Sequence, residues 1–209
     1  MPYVIRPPRL RAAIAACAAV LLVGAVPAQA AKSSGGSTEI TSASQCKEPV
    51  LSQPLLWASD SNYYFLAPGQ TPGNFEGTGW TLSGGASIKT TTVKDGTTGK
   101  VLALPSGSKA VSPTFCVTNE YPTARTLVRD LSGAEGVYLN VSYEGTGNWE
   151  KPKNTGQFHG NKTEWTLSGS LNLQPENVTG WQVLRLTLVA GGKKSDFQLY
   201  NLYIDPYRR

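Results

Sequence analysis

Val137-Tyr138-Leu139-Asn140-Val141-Ser142-Tyr143-Glu144 places apolar side chains at alternate positions. A period of two puts Val137, Leu139 and Val141 on one face of an extended chain and Tyr138, Asn140 and Ser142 on the other, as a half-buried antiparallel strand requires. The run Trp181 to Ala190 repeats the pattern: Gln182, Leu184, Leu186 and Leu188 share a face, while Arg185 and Thr187 point away. No segment beyond residue 45 carries a helical stripe.

The neighbouring sequence reads the same way. Short apolar and β-branched runs recur between Gly, Pro, Asn and Ser punctuation. They predict strands over Trp80 to Leu82, Ala86 to Val93, Val101 to Leu104, Lys109 to Val117, Thr123 to Arg129, Val137 to Glu144, Gln157 to His159, Glu164 to Leu173, Trp181 to Ala190 and Ser195 to Asp205. So many short strands in one domain, each sheet with an apolar face to cover, predict an all-β, two-layer antiparallel β-sandwich of the jelly-roll type. An immunoglobulin-like sandwich ranks second, because the Cys, Trp, Cys spacing of that fold is absent.

The first thirty residues belong to another category. Arg6, Arg9 and Arg11 precede the apolar run Ala12 to Val26, and Ala28-Gln29-Ala30 follows, the layout of a cleaved secretory signal peptide. The run is shorter than a bilayer span needs, so no transmembrane anchor is expected there. Ile14-Ala15-Ala16-Cys17 matches a lipoprotein box in outline, but too few apolar residues precede Cys17 for that route. Residues 31 to 45, rich in Gly, Ser and Thr, read as a flexible leader, and residues 46 to 209 as the folded domain. Removing the signal takes three of the 19 basic residues and none of the 14 acidic ones, so the formal charge falls from +5 to +2. A charge this small, with no clustered basic run, excludes a nucleic-acid footprint.

Cys46 and Cys116 remain as an even pair in an oxidising compartment, and a disulfide between them is expected, with two independent buried thiols as the other reading. In Val111 to Val117 the alternation assigns Val111, Phe115 and Val117 to the core face and Cys116 to the outer one. A bridge to Cys46 would then pin the N-terminal segment across the outside of the sandwich, stabilising it by roughly 3 to 4 kcal/mol through loop closure.

Catalytic chemistry is sparse. His159, in Gln157-Phe158-His159-Gly160, is the one histidine, and no G-x-S-x-G elbow, zinc pattern or phosphate loop accompanies it. Glu76, Glu144, Glu150 and Glu164 are the acids to weigh for glycosidase chemistry, but spacing alone pairs none of them. No catalytic set is therefore assigned. The binding candidates are aromatic and cationic. Trp80, Trp165 and Trp181 each open a strand and are read as core. Trp149 lies in a Gly- and Asn-rich loop just after Tyr143, where an indole face suits stacking on a sugar ring. A plug over the sandwich edge is the competing reading. Arg125 and Arg129 lie on one side of their strand, either gripping acidic or hydroxyl-rich ligands or paired with acids such as Asp130.

Gly73-Asn74-Phe75-Glu76-Gly77-Thr78-Gly79-Trp80, the run Val101 to Val117 and the closing Phe197 to Tyr207 resemble bacterial jelly-roll modules of the galactose-binding-like type, many of them carbohydrate-binding modules. The segments Cys46 to Gly69, Ser112 to Val117 and Ile204 to Arg209 are similar to a group of uncharacterised secreted actinobacterial proteins. The resemblance implies a secreted or cell-surface, non-catalytic module that binds a carbohydrate or cell-envelope glycan. A structural or protein-interaction module of the cell surface is the alternative. In sugar-binding relatives the glutamate matching Glu76 helps hold a structural calcium beside the last strand. Those relatives carry paired aspartates where this chain has Tyr200-Asn201. A hard cation loses affinity with each carboxylate removed, so no metal or other cofactor is expected.

Overall fold

The computed structural model describes residues 39–120, 122–132, 135–145 and 149–205. The signal-peptide segment and most of the leader lie outside the described residues, as does the last stretch after Asp205. Thirteen strands are formed: β1 (Phe65–Leu66), β2 (Thr81–Ser83), β3 (Ser87–Thr92), β4 (Thr98–Pro105), β5 (Lys109–Val111), β6 (Phe115–Thr118), β7 (Thr123–Asp130), β8 (Val137–Tyr143), β9 (Lys153–Phe158), β10 (Thr166–Leu167), β11 (Leu171–Asn172), β12 (Trp181–Ala190) and β13 (Asp196–Asp205). They make two antiparallel sheets packed as a sandwich. The first runs β10-β7-β13-β4-β3, with β1 on β13 and β11 on β7; the second runs β2-β5-β12-β8-β9, with β6 on β12.

The alternating runs land as their pattern demands. Leu186 stands opposite Val141, Leu188 opposite Leu139 and Ala190 opposite Val137, and all six side chains enter the core between the sheets. The first sheet answers with Leu102 and Leu104 of β4, Ala124 and Val128 of β7, and Phe197, Leu199, Leu202 and Ile204 of β13. The Gly-rich stretch before β2 forms the entry into the sandwich. Phe75 is fully buried and meets the Trp80 ring edge-on, centroids 5.0 Å apart, while Trp80 Nε1 donates to the Pro68 carbonyl at 2.6 Å. That closeness explains Gly69: it holds φ +79°, and a Cβ there would lie 2.3 Å from the Thr78 carbonyl oxygen.

Three expectations need correction. The run Lys109 to Val117 is two strands, broken at Ser112-Pro113-Thr114, so the face alternates anew after the break. Ala110, not Val111, faces the core beside Phe115 and Val117. Trp165 lies outside the inter-sheet core and packs on the far face of the first sheet, and Trp181 is half-buried at a cavity mouth. The run Glu164 to Leu173, expected as one strand, forms two short ones, β10 and β11. Ahead of Cys46 lies a short 3-10 turn at Ala43–Gln45, its backbone capped by the Gln45 amide oxygen.

Cys46 and Cys116 are joined, 70 residues apart in sequence. Cys116 stands opposite Val183 on the outer side of the second sheet, so the bridge fastens the N-terminal turn against the outside of that sheet.

Candidate functional site

Two exposed faces flank a sandwich, and polar side chains normally cover them. The outer face of the first sheet departs from this. Val93, Val101, Leu127 and Tyr200 form a cluster there with Trp165 and Leu167 against it. Beside it Leu55, Tyr64 and Tyr203 form another, with Leu66 against it. Two segments lie over the sheet to bury these residues: the chain from Leu55 to Tyr64, which includes a 3-10 turn at Leu56–Ala58, and the chain entering β10.

The arginines of β7 fasten both segments. Arg125 Nη1 reaches Asp60 Oδ2 at 2.5 Å, and its Nε and Nη2 donate to the Ser168 carbonyl at 3.1 and 3.0 Å. Asp60 also accepts from the Tyr64 hydroxyl at 2.7 Å and the Asn62 backbone N–H at 3.0 Å. Burial alone would raise the Asp60 pKa, but these hydrogen bonds and the guanidinium outweigh it and hold the carboxyl below its ordinary value. Arg129 lies 4.6 Å from the Trp165 ring centroid, donates to Gln198 Oε1 at 2.8 Å and to Thr91 Oγ1 at 2.9 Å, and so sets Trp165 against Tyr200, whose rings are 5.8 Å apart. The partners of the two arginines are thus Asp60, Ser168, Gln198, Thr91 and Trp165. Asp130 lies on the opposite side of β7 from both, since the strand alternates.

Between these segments lies a cavity of about 290 Å³, walled by Trp57, Leu127, Tyr200 and Tyr203, with Asn201, Lys94 and Asp95 also lining it. A β-bulge builds it. Tyr200 pairs with Leu127 and Leu202 with Thr126, so Asn201 is an extra residue in β13. Its φ of +55° is left-handed backbone, which Asn tolerates better than most residues. The side chain is only 6% exposed, yet its Oδ1 accepts no hydrogen bond from the described residues. A buried acceptor left unpaired costs roughly 1 to 3 kcal/mol. The bulge also restarts the alternation, so that Tyr200 and Tyr203 both face this cavity while Leu199, Leu202 and Ile204 all face the core. Burial raises the pKa of both phenols, keeping them neutral hydroxyls at physiological pH.

At the cavity edge Trp57 is 53% exposed, with the Lys94 ammonium 3.7 Å from its ring centroid. Asp95 is held below its ordinary pKa by the Thr97 hydroxyl and backbone N–H, which donate to Oδ1 at 2.6 and 3.0 Å. Aromatic walls with one cation and one carboxylate describe a mostly apolar pocket that offers a few polar groups, the general form of a small-ligand site.

The other two sequence candidates lie on the second sheet, so the four do not converge. Trp149 pairs with Glu144 in an isolated bridge and is half-buried, the Arg185 guanidinium 4.3 Å from its ring centroid. Tyr143 is 2% exposed and donates its hydroxyl to the Leu173 carbonyl at 3.2 Å; facing the core, it shapes a wall and has no free ring face to offer. A second cavity of about 410 Å³ opens beside them, lined by Glu144, Glu150, Glu176, Trp181 and Gln182 among others. Here acids converge, but Lys153 bonds Glu176 and lies 3.5 Å from Glu150. That bond holds Glu176 below its ordinary pKa, opposite to what a general acid needs.

Glu76 pairs with Lys100 of β4, beside Asn74, whose Oδ1 accepts the Lys100 backbone N–H at 3.0 Å. His159 Nδ1 lies 2.8 Å from the Glu135 carbonyl oxygen. Among the described residues no group of three or more His, Cys, Asp or Glu is placed to hold a metal ion. Sequence reasoning did not offer Trp57, Lys94 or Tyr203 as binding groups, and it named Tyr200 and Asn201 only as standing where sugar-binding relatives carry aspartates. One signal for them existed: in Leu199-Tyr200-Asn201-Leu202 the apolar spacing slips from two to three around an Asn, the mark of a bulge.

No protein-family model matches the chain, and no curated protein matches it in sequence. Among solved structures it is similar to the xylan-binding module CBM15, at 15% identity and TM-score 0.40 over 71% of this chain and 99% of that one. It is similar to the CBM22-1 xylan-binding domain of Paenibacillus barcinonensis Xyn10C, at 14% identity and TM-score 0.36 over 63% and 87%. It is also similar to TmCBM61, solved with β-1,4-galactotriose, at 14% identity and TM-score 0.35 over 67% and 97%. Similarity this low assigns no ligand, and the two-sheet sandwich stands on the chain's own strand pairing.

Proposed function

We propose that this chain is a secreted, non-catalytic β-sandwich module that binds carbohydrate through the aromatic pocket on the outer face of its first sheet. The supporting observation is the pocket itself: a half-exposed Trp57 beside a cavity walled by Leu127 and two tyrosines, with Lys94 and Asp95 also lining it. An indole face offers an apolar platform to the C–H face of a pyranose, and Lys94 and Asp95 offer a donor and an acceptor to its hydroxyls. Arg125 and Arg129 serve this site by holding its walls. The basic-apolar-small N-terminal segment and the single disulfide support secretion, and among the described residues no helix is long and apolar enough to cross a membrane.

A glycan array on residues 31 to 209, with Trp57→Ala and Trp149→Ala alongside, tests the reading. Binding lost in the first variant and kept in the second assigns the pocket; the reverse assigns the loop after Tyr143. One observation favours a protein-interaction module: Val50, Leu56, Trp57 and Tyr63 are all exposed apolar residues of the N-terminal segment. An array silent for the unaltered chain would move the assignment there.

A further inference from the structure

We infer that β3 is an interaction edge at which a second copy of this chain adds in antiparallel fashion, joining two first sheets into one. The paths of the two sheets end on β10 and β3 and on β2 and β9. An open edge offers unpaired N–H and C=O groups to any extended chain, and proteins blunt such edges by shortness, bulges or charge. β10 has two residues and β2 three, while β9 begins at Lys153 and is bulged against β8 between Leu139 and Asn140. β3, Ser87-Ile88-Lys89-Thr90-Thr91-Thr92, has no such device beyond Lys89: it runs six residues and pairs with β4 without a break in register.

The direction of its free groups follows from β4. The Lys100 carbonyl accepts the Phe75 N–H at 2.9 Å, and the Lys100 N–H donates to Asn74 Oδ1 at 3.0 Å, so Lys100 turns its backbone away from β3. Thr90 stands opposite Lys100 and is turned outward in its place, together with Ile88 and Thr92, because backbone groups alternate along an antiparallel ladder. Among the described residues the N–H and C=O of Ile88 and Thr90 meet no backbone partner. The Thr92 carbonyl accepts the Trp165 indole N–H at 3.2 Å and keeps a second lone pair.

A second copy fits this edge best in one register. Bonds form only where both residues face outward, and a ladder centred on Thr90 opposite Thr90 satisfies every outward group: Ile88 meets Thr92 of the other copy, and Lys89 meets Thr91. A slip toward the start of the strand opposes Lys89 to Lys89, and a slip toward its end leaves Ile88 unpaired. In the centred register the facing pairs are Thr with Thr and Ile with Thr, which suit a pleated surface, and no like charges stand opposite one another. The twofold axis of such a pair is perpendicular to the sheet. Both outer faces, each with its Trp57 cavity, therefore look the same way.

The contact is small, so the dimer is weak, with a dissociation constant on the order of 100 µM. Sedimentation velocity of the protein from about 10 µM to about 1 mM should show monomer passing to dimer. Over the same range amide exchange should slow at Ile88 and Thr90, whereas Lys89 and Thr91 are protected by β4 throughout. Thr90 is exposed, so Thr90→Lys leaves the β3 to β4 ladder intact while setting two ammonium groups together on the twofold axis. It should weaken association roughly tenfold at low salt and regain part of the loss at about 1 M salt, where screening is strong. Thr90→Pro removes an N–H that β4 does not use and should give a folded monomer, and Thr90→Val should dimerise like the unaltered chain. A protein that stays monomeric at the highest concentration overturns the inference and leaves the edge to an extended segment of some other protein. So does a dimer that survives Thr90→Lys and Thr90→Pro, or one in which the Ile88 and Thr90 amides still exchange freely.

Discussion

Asp60 is the residue on which the outer face of the first sheet depends most. It accepts from Asn62 and Tyr64 of its own segment, which fix that segment's turn, and from Arg125 of β7, which ties the segment to the sheet. The linkage has a definite sign. A carboxyl whose folded pKa lies below its unfolded value, near 3.9, contributes its full stability above that value and loses it as pH falls through the folded one. Thermal melts of the unaltered chain should therefore fall steeply below about pH 4. Asp60→Asn should be less stable at pH 7 and show a shallower loss over the acid range; parallel curves would mean that Asp60 is not a coupled group. Asp95 and Glu176 also lie below their ordinary pKa but are common to both proteins, so the difference curve isolates Asp60. None of this was legible in the sequence. Arg125 stood out as one of few charges on its strand, yet its partner lies 65 residues away, and only the folded chain brings them together.

Strands were far more legible than contacts, because alternation is a local property. The bounds expected for the strand after Asn177 and those of β12 coincide, and the residues expected to face inward from β8 do so. Legibility failed where local rules meet an interruption. Pro113 has no N–H to give a ladder, and the strand read through it is two; the strand read over Glu164 to Leu173 is likewise two pieces, β10 and β11, and β1, two residues long, has too little periodicity to detect. The segment from Leu55 to Tyr64 was opaque for another reason: it is neither helix nor sheet, and its position follows from tertiary partners. The disulfide fastens its upstream neighbour. Replacing Cys46 and Cys116 by serine removes a cross-link spanning 70 residues, which should cost about 4 kcal/mol. Urea unfolding should show a lower midpoint together with a larger m-value, since a less constrained unfolded chain exposes more surface. An unchanged midpoint would show that packing alone holds the N-terminal turn.

Taken whole, the molecule is a core enclosed by two sheets, with a second, shallower apolar layer outside one of them. The first was legible from period-two runs. The second was not, because its residues alternate with the core set and look, in one dimension, like the solvent side of an ordinary strand. β13 belongs to both layers, and its bulge decides which side chain serves which. Asn201 acts there much as a single inserted letter acts in a reading frame. Deleting it would leave Leu199-Tyr200-Leu202-Tyr203-Ile204, which alternates without interruption against Val128 to Ala124: Leu202 and Ile204 would still face the core, Tyr203 would still face outward, and the pairing of β1 with β13 would be kept. The deletion should therefore keep a single cooperative thermal transition, whereas inserting one further residue after Leu202, which no bulge absorbs, should turn Tyr203 inward and Ile204 outward and abolish it; loss of the transition in the deletion would show that the bulge itself, and not the register it preserves, is required.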